Sequence, residues 1–171
     1  MKRIVCRMDR CLGCRACELA CAVEHSESRT LVTAVREAVK PRARIRVEAV
    51  DGGLHRTLAL QCRQCEEPVC AQACISGGIR RDERTGDVLM DPGRCVACWS
   101  CIMVCPFGAI MRHEGLHRAV KCDHCPGRDI PACVEACPTG ALVFVEFTAV
   151  TPHGLTEQRP HSQAERSDRI V

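Results

Sequence analysis

A chain of 171 residues with a net charge of +3 is one or two domains long and nearly balanced in charge. Its 24 basic residues, of which only Lys2, Lys40 and Lys121 are lysine, are scattered and have no stacking aromatics among them, a pattern that does not support a nucleic-acid-binding face. The four aromatics, Trp99, Phe107, Phe144 and Phe147, are too few for an ordinary packed core, while 17 cysteines mark either a disulfide scaffold or a metal protein.

Residues 2–8 predict a short strand, closed by a turn at Asp9-Arg10. A first cysteine quartet follows: Cys11, Cys14, Cys17 and Cys21. Its tail, Cys17 to His25, is rich in helix formers until Ser26 and Ser28 break the pattern. Thr30 to Lys40 predicts a second short helix, ending before Pro41. Arg42 to Val50 alternates, with Ala43, Ile45, Val47 and Ala49 on one face. Asp51-Gly52-Gly53 is turn chemistry and Leu54 to Leu60 returns, so this is a β-hairpin, read as scaffold before docking surface. The second quartet is Cys62, Cys65, Cys70 and Cys74. Ile79 to Asp91, with Arg84-Thr85-Gly86-Asp87 in its middle, predicts another hairpin. The third quartet is Cys95, Cys98, Cys101 and Cys105; the fourth is Cys122, Cys125, Cys133 and Cys137. Residues 141–147 predict a closing strand. Residues 148–171 are polar, carry Pro152 and Pro160, and predict an irregular tail.

The third quartet, Cys95-Val-Ala-Cys98-Trp-Ser-Cys101-Ile-Met-Val-Cys105-Pro106, has the spacing of a bacterial ferredoxin run that binds a 4Fe–4S cluster. A tight loop delivers three thiolates to one cluster; the fourth, a helical turn further on, faces a second cluster. The tails Cys105-Pro106-Phe107-Gly108-Ala109-Ile110 and Cys137-Pro138-Thr139-Gly140-Ala141-Leu142 are near copies. Cys74-Ile75-Ser76-Gly77-Gly78-Ile79 differs by lacking the proline, and together they are internal repeats. Structural zinc, which favours two separated cysteine pairs, fits this spacing poorly; disulfides need an oxidising compartment, which the lack of a visible export signal argues against. No export signal or apolar run of ~20 residues is visible, so a soluble cytoplasmic protein without a membrane span is expected. Cys6 lies outside the quartets and reads as an apolar strand residue, not a ligand. Trp99, between ligands, is expected to pack against a cluster or a partner. His124 reads as a solvated histidine, with hydrogen bonding to a cluster as the alternative. No catalytic constellation accompanies the cysteines, so the chain reads as a wire for single electrons and not as an enzyme.

A dicluster ferredoxin unit exchanges fourth ligands between two runs. The short link from Cys74 to Cys95, with one hairpin, favours pairing the second and third quartets and leaves the first to the fourth. Pairing third with fourth and first with second is the alternative, made less natural by the long insertion between Cys21 and Cys62. The preferred pairing puts Cys11, Cys14, Cys17 and Cys137 on cluster 1, and Cys62, Cys65, Cys70 and Cys105 on cluster 2. Cluster 3 takes Cys95, Cys98, Cys101 and Cys74; cluster 4 takes Cys122, Cys125, Cys133 and Cys21. The expected fold is α+β: two nested dicluster ferredoxin-like units with short hairpins and short helices. Residues 1–41 and 111–147 form the outer unit, 42–61 the inserted hairpin, 62–110 the inner unit and 148–171 the tail.

The pattern resembles the four-cluster ferredoxin-like subunits of formate dehydrogenases, dimethyl sulfoxide reductases and formate hydrogenlyase, a family that uses this nested pairing. More closely, Cys17-Glu18-Leu19-Ala20-Cys21-Ala22-Val23-Glu24-His25-Ser26, Pro41-Arg42-Ala43-Arg44-Ile45 and Pro131-Ala132-Cys133-Val134-Glu135-Ala136-Cys137-Pro138-Thr139-Gly140-Ala141-Leu142 are similar to the iron–sulfur subunit associated with nickel carbon monoxide dehydrogenase. Similar proteins serve tungsten aldehyde oxidoreductases. The resemblance covers residues 1–147. It implies four 4Fe–4S clusters relaying electrons between a nickel, tungsten or molybdenum catalytic subunit and a flavoprotein, hydrogenase or ferredoxin. A freely diffusing polyferredoxin, a zinc-binding interaction module and a self-sufficient enzyme or redox sensor are the other readings.

Overall fold

The computed structural model describes residues 2–50 and 56–146. The predicted turn at Asp51-Gly52-Gly53, Leu54, Phe147 and the tail from Thr148 lie outside them.

The secondary structure is short pieces joined by cysteine-bearing loops. In chain order they are β1 (Lys2–Cys6), α1 (Ala16–Glu24), α2 (Leu31–Ala34), β2 (Ile45–Val50), β3 (Arg56–Gln61), α3 (Val69–Gln72), β4 (Ile79–Arg81), β5 (Val88–Met90), α4 (Ser100–Val104), β6 (Ile110–His113), β7 (Arg118–Lys121), α5 (Ala132–Glu135) and β8 (Leu142–Glu146). The strands make four two-stranded antiparallel sheets: β1 with β8, β2 with β3, β4 with β5 and β6 with β7. The first joins the two ends of the described chain, pairing Ile4 with Phe144 and Cys6 with Leu142. Isolated two-stranded ribbons are marginal in water. Each here is held by what packs on its inner face.

That packing forms two apolar clusters. The larger gathers Ile4, Ile45, Val47, Ala59, Ala109, Val134 and Leu142 around several cysteines. The smaller gathers Ile79, Val88, Ile110 and Ala119 around Cys101, and Cys105 packs against both.

Three expectations need correction. The helix expected over Thr30–Lys40 is confined to the four residues of α2. Leu31, Val32 and Val35 stand in solvent, so no apolar face is buried to sustain a longer helix. Lys40 instead donates to the carbonyls of Val35 and Glu37 at 2.6 and 2.9 Å, closing the segment as a turn. Secondly, β1 stops at Cys6, and Arg7 N–H donates to Ala141 O at 2.8 Å as the chain turns into the first loop. Thirdly, the β6–β7 hairpin, turned by a 3-10 segment at Glu114–Leu116, is a strand pair beyond those that the sequence pattern predicts.

Candidate metal centres

Each cysteine loop is built the same way. The segment between ligands turns through left-handed backbone: Gly13 and Arg15, Gln64, Ala97 and Trp99, and His124 and Cys125 all have φ between +49° and +67°. For a non-glycine residue that conformation costs about 1–2 kcal/mol. Six such residues in four loops indicate that the loops are shaped for what they hold. A short helix then carries the later thiols, and the last cysteine lies at or just beyond its C-terminal end except in α1, where Cys17 and Cys21 are a turn apart inside the helix and both buried.

Three apolar-lined hollows open between these loops. The first, about 370 Å³, is lined by Cys62, Cys65, Cys70 and Cys105 together with Val88 and Phe107. The second, about 340 Å³, is lined by Cys74, Cys95, Cys98 and Cys101 together with Ile79 and Trp99. The third, about 310 Å³, is lined by Cys11, Cys14, Cys17 and Cys137 together with Val47 and Leu142. Each hollow therefore combines the first three thiols of one quartet with the last thiol of another. The remaining thiols, Cys21, Cys122, Cys125 and Cys133, are all buried, and the charge of each of Cys21, Cys122 and Cys125 would be felt at Cys133.

Burial makes these thiols hard to ionise alone. It pushes Cys17 up to about 12, and Cys101 and Cys125 each to about 11. Cys122 and Cys133, buried and surrounded by other cysteines, are raised further. At the surface the direction reverses. Burial is the largest single effect on Cys74 and opposes its ionisation, but the Ser76 hydroxyl and the Ile79 and Gly78 N–H groups together outweigh it and hold the thiol down. Cys98, beside the Ser100 N–H and hydroxyl, is also lowered. Buried thiolates need a compensating cation, and soft sulfur donors select zinc, copper(I) or iron–sulfur clusters. Sulfur spacing separates these. A single tetrahedral zinc ion with Zn–S ≈ 2.3 Å needs its sulfurs roughly 3.8 Å apart. Among the described residues, the only three potential ligand atoms all within 4.8 Å of one another belong to His25, Asp123 and Cys125. No described trio of cysteines is that tight, so the donor set fits a polynuclear cluster better than one ion.

The His25–Asp123 pair has a different explanation. His25 Nε2 bonds Asp123 Oδ1 at 3.1 Å and its Nδ1 faces Cys21 O at 2.7 Å. Asp123 also accepts from the Arg44 guanidinium and, at 3.1 Å, from Cys125 N–H. Arg44 N–H donates to Cys21 Sγ at 3.2 Å. Together they form a polar brace around Cys21, and hydrogen bonds to ligand sulfurs are a lever on cluster potential.

His124 corrects the solvated reading. It is 6% exposed, bonds Asp87 Oδ1 through Nδ1 at 3.0 Å, and meets the Phe144 ring edge-on at 5.2 Å. Burial holds its pKa below the usual value. Its partner is 37 residues away in sequence, so no local signal announced it. Trp99 lines the second hollow and carries the Arg112 guanidinium over its ring at 4.7 Å. Cys6 lines none of the three hollows, and its Sγ accepts from Ala59 N–H at 3.4 Å. Sequence reasoning missed Gln64, fully buried, whose amide donates to Cys122 O at 3.0 Å and accepts from Val88 N–H at 2.8 Å.

Loops that close four soft donors around apolar hollows define a ferredoxin-like iron–sulfur scaffold. The chain belongs to the 4Fe–4S dicluster domain family, whose pattern matches residues 55–147. It is 41% identical over 157 residues to an iron–sulfur protein of Rhodospirillum rubrum, covering 82% of this chain and 80% of that one. It is 36% identical over 159 residues to the electron transport protein HydN of Escherichia coli, covering 84% and 87%. The B subunit of the anaerobic dimethyl sulfoxide reductase of Escherichia coli is 35% identical over 145 residues, covering 80% and 69%. No helix among the described residues is long and apolar enough to cross a membrane.

Proposed function

We propose that this chain is the electron-transfer subunit of an oxidoreductase complex, with four 4Fe–4S clusters held by sixteen cysteines in two nested dicluster units. Electron transfer through 4Fe–4S clusters is the function of its family, and the chain is a conductor and not a catalyst. One observation carries the finer reading. In each of the three hollows, three thiols come from one quartet and one from another: Cys105 beside Cys62, Cys65 and Cys70; Cys74 beside Cys95, Cys98 and Cys101; Cys137 beside Cys11, Cys14 and Cys17. Cys21 then completes Cys122, Cys125 and Cys133. The β1–β8 sheet and the packing of α1 on α5 support an outer unit made from both ends of the chain, residues 1–41 and 111–147, around an inner unit at 62–110.

The same assignment gives the wire an order. Cys133 feels the charge of Cys17, Cys122 that of Cys62, and Cys101 that of Cys70. These neighbours support a line running from the Cys11 group to the Cys122 group, then the Cys62 group, then the Cys95 group. The exposed cysteines are Cys14 and Cys98, one at each end, while the Cys122 group in the middle is buried. A catalytic oxidoreductase subunit of the nickel, tungsten or molybdenum type at one end, and a flavoprotein, hydrogenase or ferredoxin at the other, fit such a conductor working among reduced cytoplasmic thiols.

Anaerobic purification from native cells tests this. About sixteen irons and as many sulfides per chain are expected for four cubanes, with a catalytic subunit co-purifying. About half that iron would refute four clusters, bound zinc would refute the cluster reading, and a chain arriving alone and brown would make it a diffusing polyferredoxin.

A further inference from the structure

Lys121 closes β7, immediately before the Cys122 ligand loop, and is 2% exposed. Its ammonium donates to Val88 O and, at 2.9 Å, to Cys122 O. Val88 lines the Cys62–Cys65–Cys70–Cys105 hollow, and Cys122 belongs to the buried Cys21–Cys122–Cys125–Cys133 group. The ammonium is therefore tied to the walls of two different groups, at the junction of the inner and outer units. Gln64, itself fully buried, bonds the same two residues through Val88 N–H and Cys122 O.

A buried ammonium is costly unless an opposite charge answers it. Among the described residues no carboxylate pairs with Lys121, and Asp87, next to Val88 in the chain, is taken by His124. Its positive charge instead favours the thiolate at Cys70 on one side and at Cys122 on the other. A cubane with four thiolate ligands is an anion that gains a further negative charge with each electron.

We propose that Lys121 is the shared counter-charge of the two middle cluster sites, held by Val88 O and Cys122 O between them, and that it raises the reduction potential of both. The proposal rests on the cluster assignment above. As an electron arrives, the role of Lys121 is to lower the cost of the added negative charge in a water-excluded junction. The two end sites, at Cys14 and Cys98, are screened by solvent and feel it weakly.

The test is a potentiometric titration of the holoprotein followed by electron paramagnetic resonance, comparing wild type with K121M, K121Q and K121R. In K121M and K121Q two of the four midpoints should fall, each by on the order of tenfold in the one-electron equilibrium, ~59 mV. The other two should stay in place, and K121R should resemble wild type. Four unmoved midpoints, or four moving together, overturn the proposal. Iron and sulfide are counted first, so a wild-type chain lacking four clusters indicts the cluster assignment and not Lys121. Should the neutral variants fail to assemble, wild type labelled with nitrogen-15 lysine gives the answer. Only Lys2, Lys40 and Lys121 report, and one Nζ signal should shift or broaden between oxidised and reduced protein. A lysine spectrum indifferent to reduction overturns the proposal as well.

Discussion

Removing two thiols should cost one cluster or two depending on which two, and this reads the ligand exchange directly. Cys105 lies at the C-terminal end of α4 and lines the hollow of Cys62, Cys65 and Cys70. Cys101, one turn earlier on the same helix, lines the hollow of Cys95, Cys98 and Cys74. If each hollow holds one cubane, C62A/C105A damages a single cluster and leaves about twelve of about sixteen irons. C101A/C105A, although its two sites are neighbours in sequence, damages two clusters and leaves about eight. Ligation within each quartet reverses the order. Alanine is used because serine can still ligate iron. Iron and acid-labile sulfide per chain, measured after anaerobic gel filtration, decide the matter, with the loss of paramagnetic signal on reduction as a second count. More iron in C101A/C105A than in C62A/C105A would refute the exchange of fourth ligands. The outer unit offers the parallel pair, C17A/C137A against C133A/C137A.

Other changes probe the scaffold. Gln64→Leu leaves Val88 N–H without its partner in a dry junction, at about 1–3 kcal/mol, while Cys122 O keeps the Lys121 ammonium; the bleaching temperature of the holoprotein should fall, and an unchanged value would deny the bond its role. Gly13→Ala asks for a side chain at φ +67° with its Cβ 2.9 Å from Thr57 Cγ2. It should cost at least about 1–2 kcal/mol and bleach the Cys11 site first, and adding Thr57→Ser, which removes the clashing methyl, should recover part of the loss. His113 is buried and held below its usual 6.5, first by burial and then by the charges of Arg118, Arg42 and Arg44. The unfolded chain binds that proton at higher pH than the folded one does, so His113 contributes stability above pH 6.5 that is lost as pH falls toward the lower folded value. His113→Gln should flatten that part of the stability–pH curve measured by circular dichroism, and an identical slope would contradict the assignment.

The cysteine chemistry was legible because ligand spacing is a local property. Three thiols from Cys95 to Cys101 state the need for one inward-facing loop. The hairpin from Ile45 to Gln61 was legible through its alternation, although Ala49 on the same face turned out exposed where the ribbon leaves the core. The β6–β7 hairpin was not, because Ile110–His113 and Arg118–Lys121 are four residues each and end in charged or polar side chains. Their burial is decided by what they cover. Lys121, Gln64 and His124 break the rule that such residues face water. Each is satisfied by a group distant in sequence, at Val88, Cys122 or Asp87, which no window along the chain can contain.

These buried polar residues explain how so short a set of elements holds one arrangement. Among the described residues no helix exceeds nine residues, no sheet exceeds two strands, and several loop residues sit in left-handed backbone. Apolar contacts alone would leave the two core clusters free to slide past each other. Gln64 and Lys121 cross that boundary with directional bonds, and Arg44, Asp123 and His25 tie α1 and the approach to β2 to the fourth loop in the same way. Directional bonds fix relative position where hydrophobic burial fixes only proximity. For a conductor that distinction matters: distances between successive sites set its rate, so polar residues at the seams between groups do for this chain what aromatic packing does for an ordinary core.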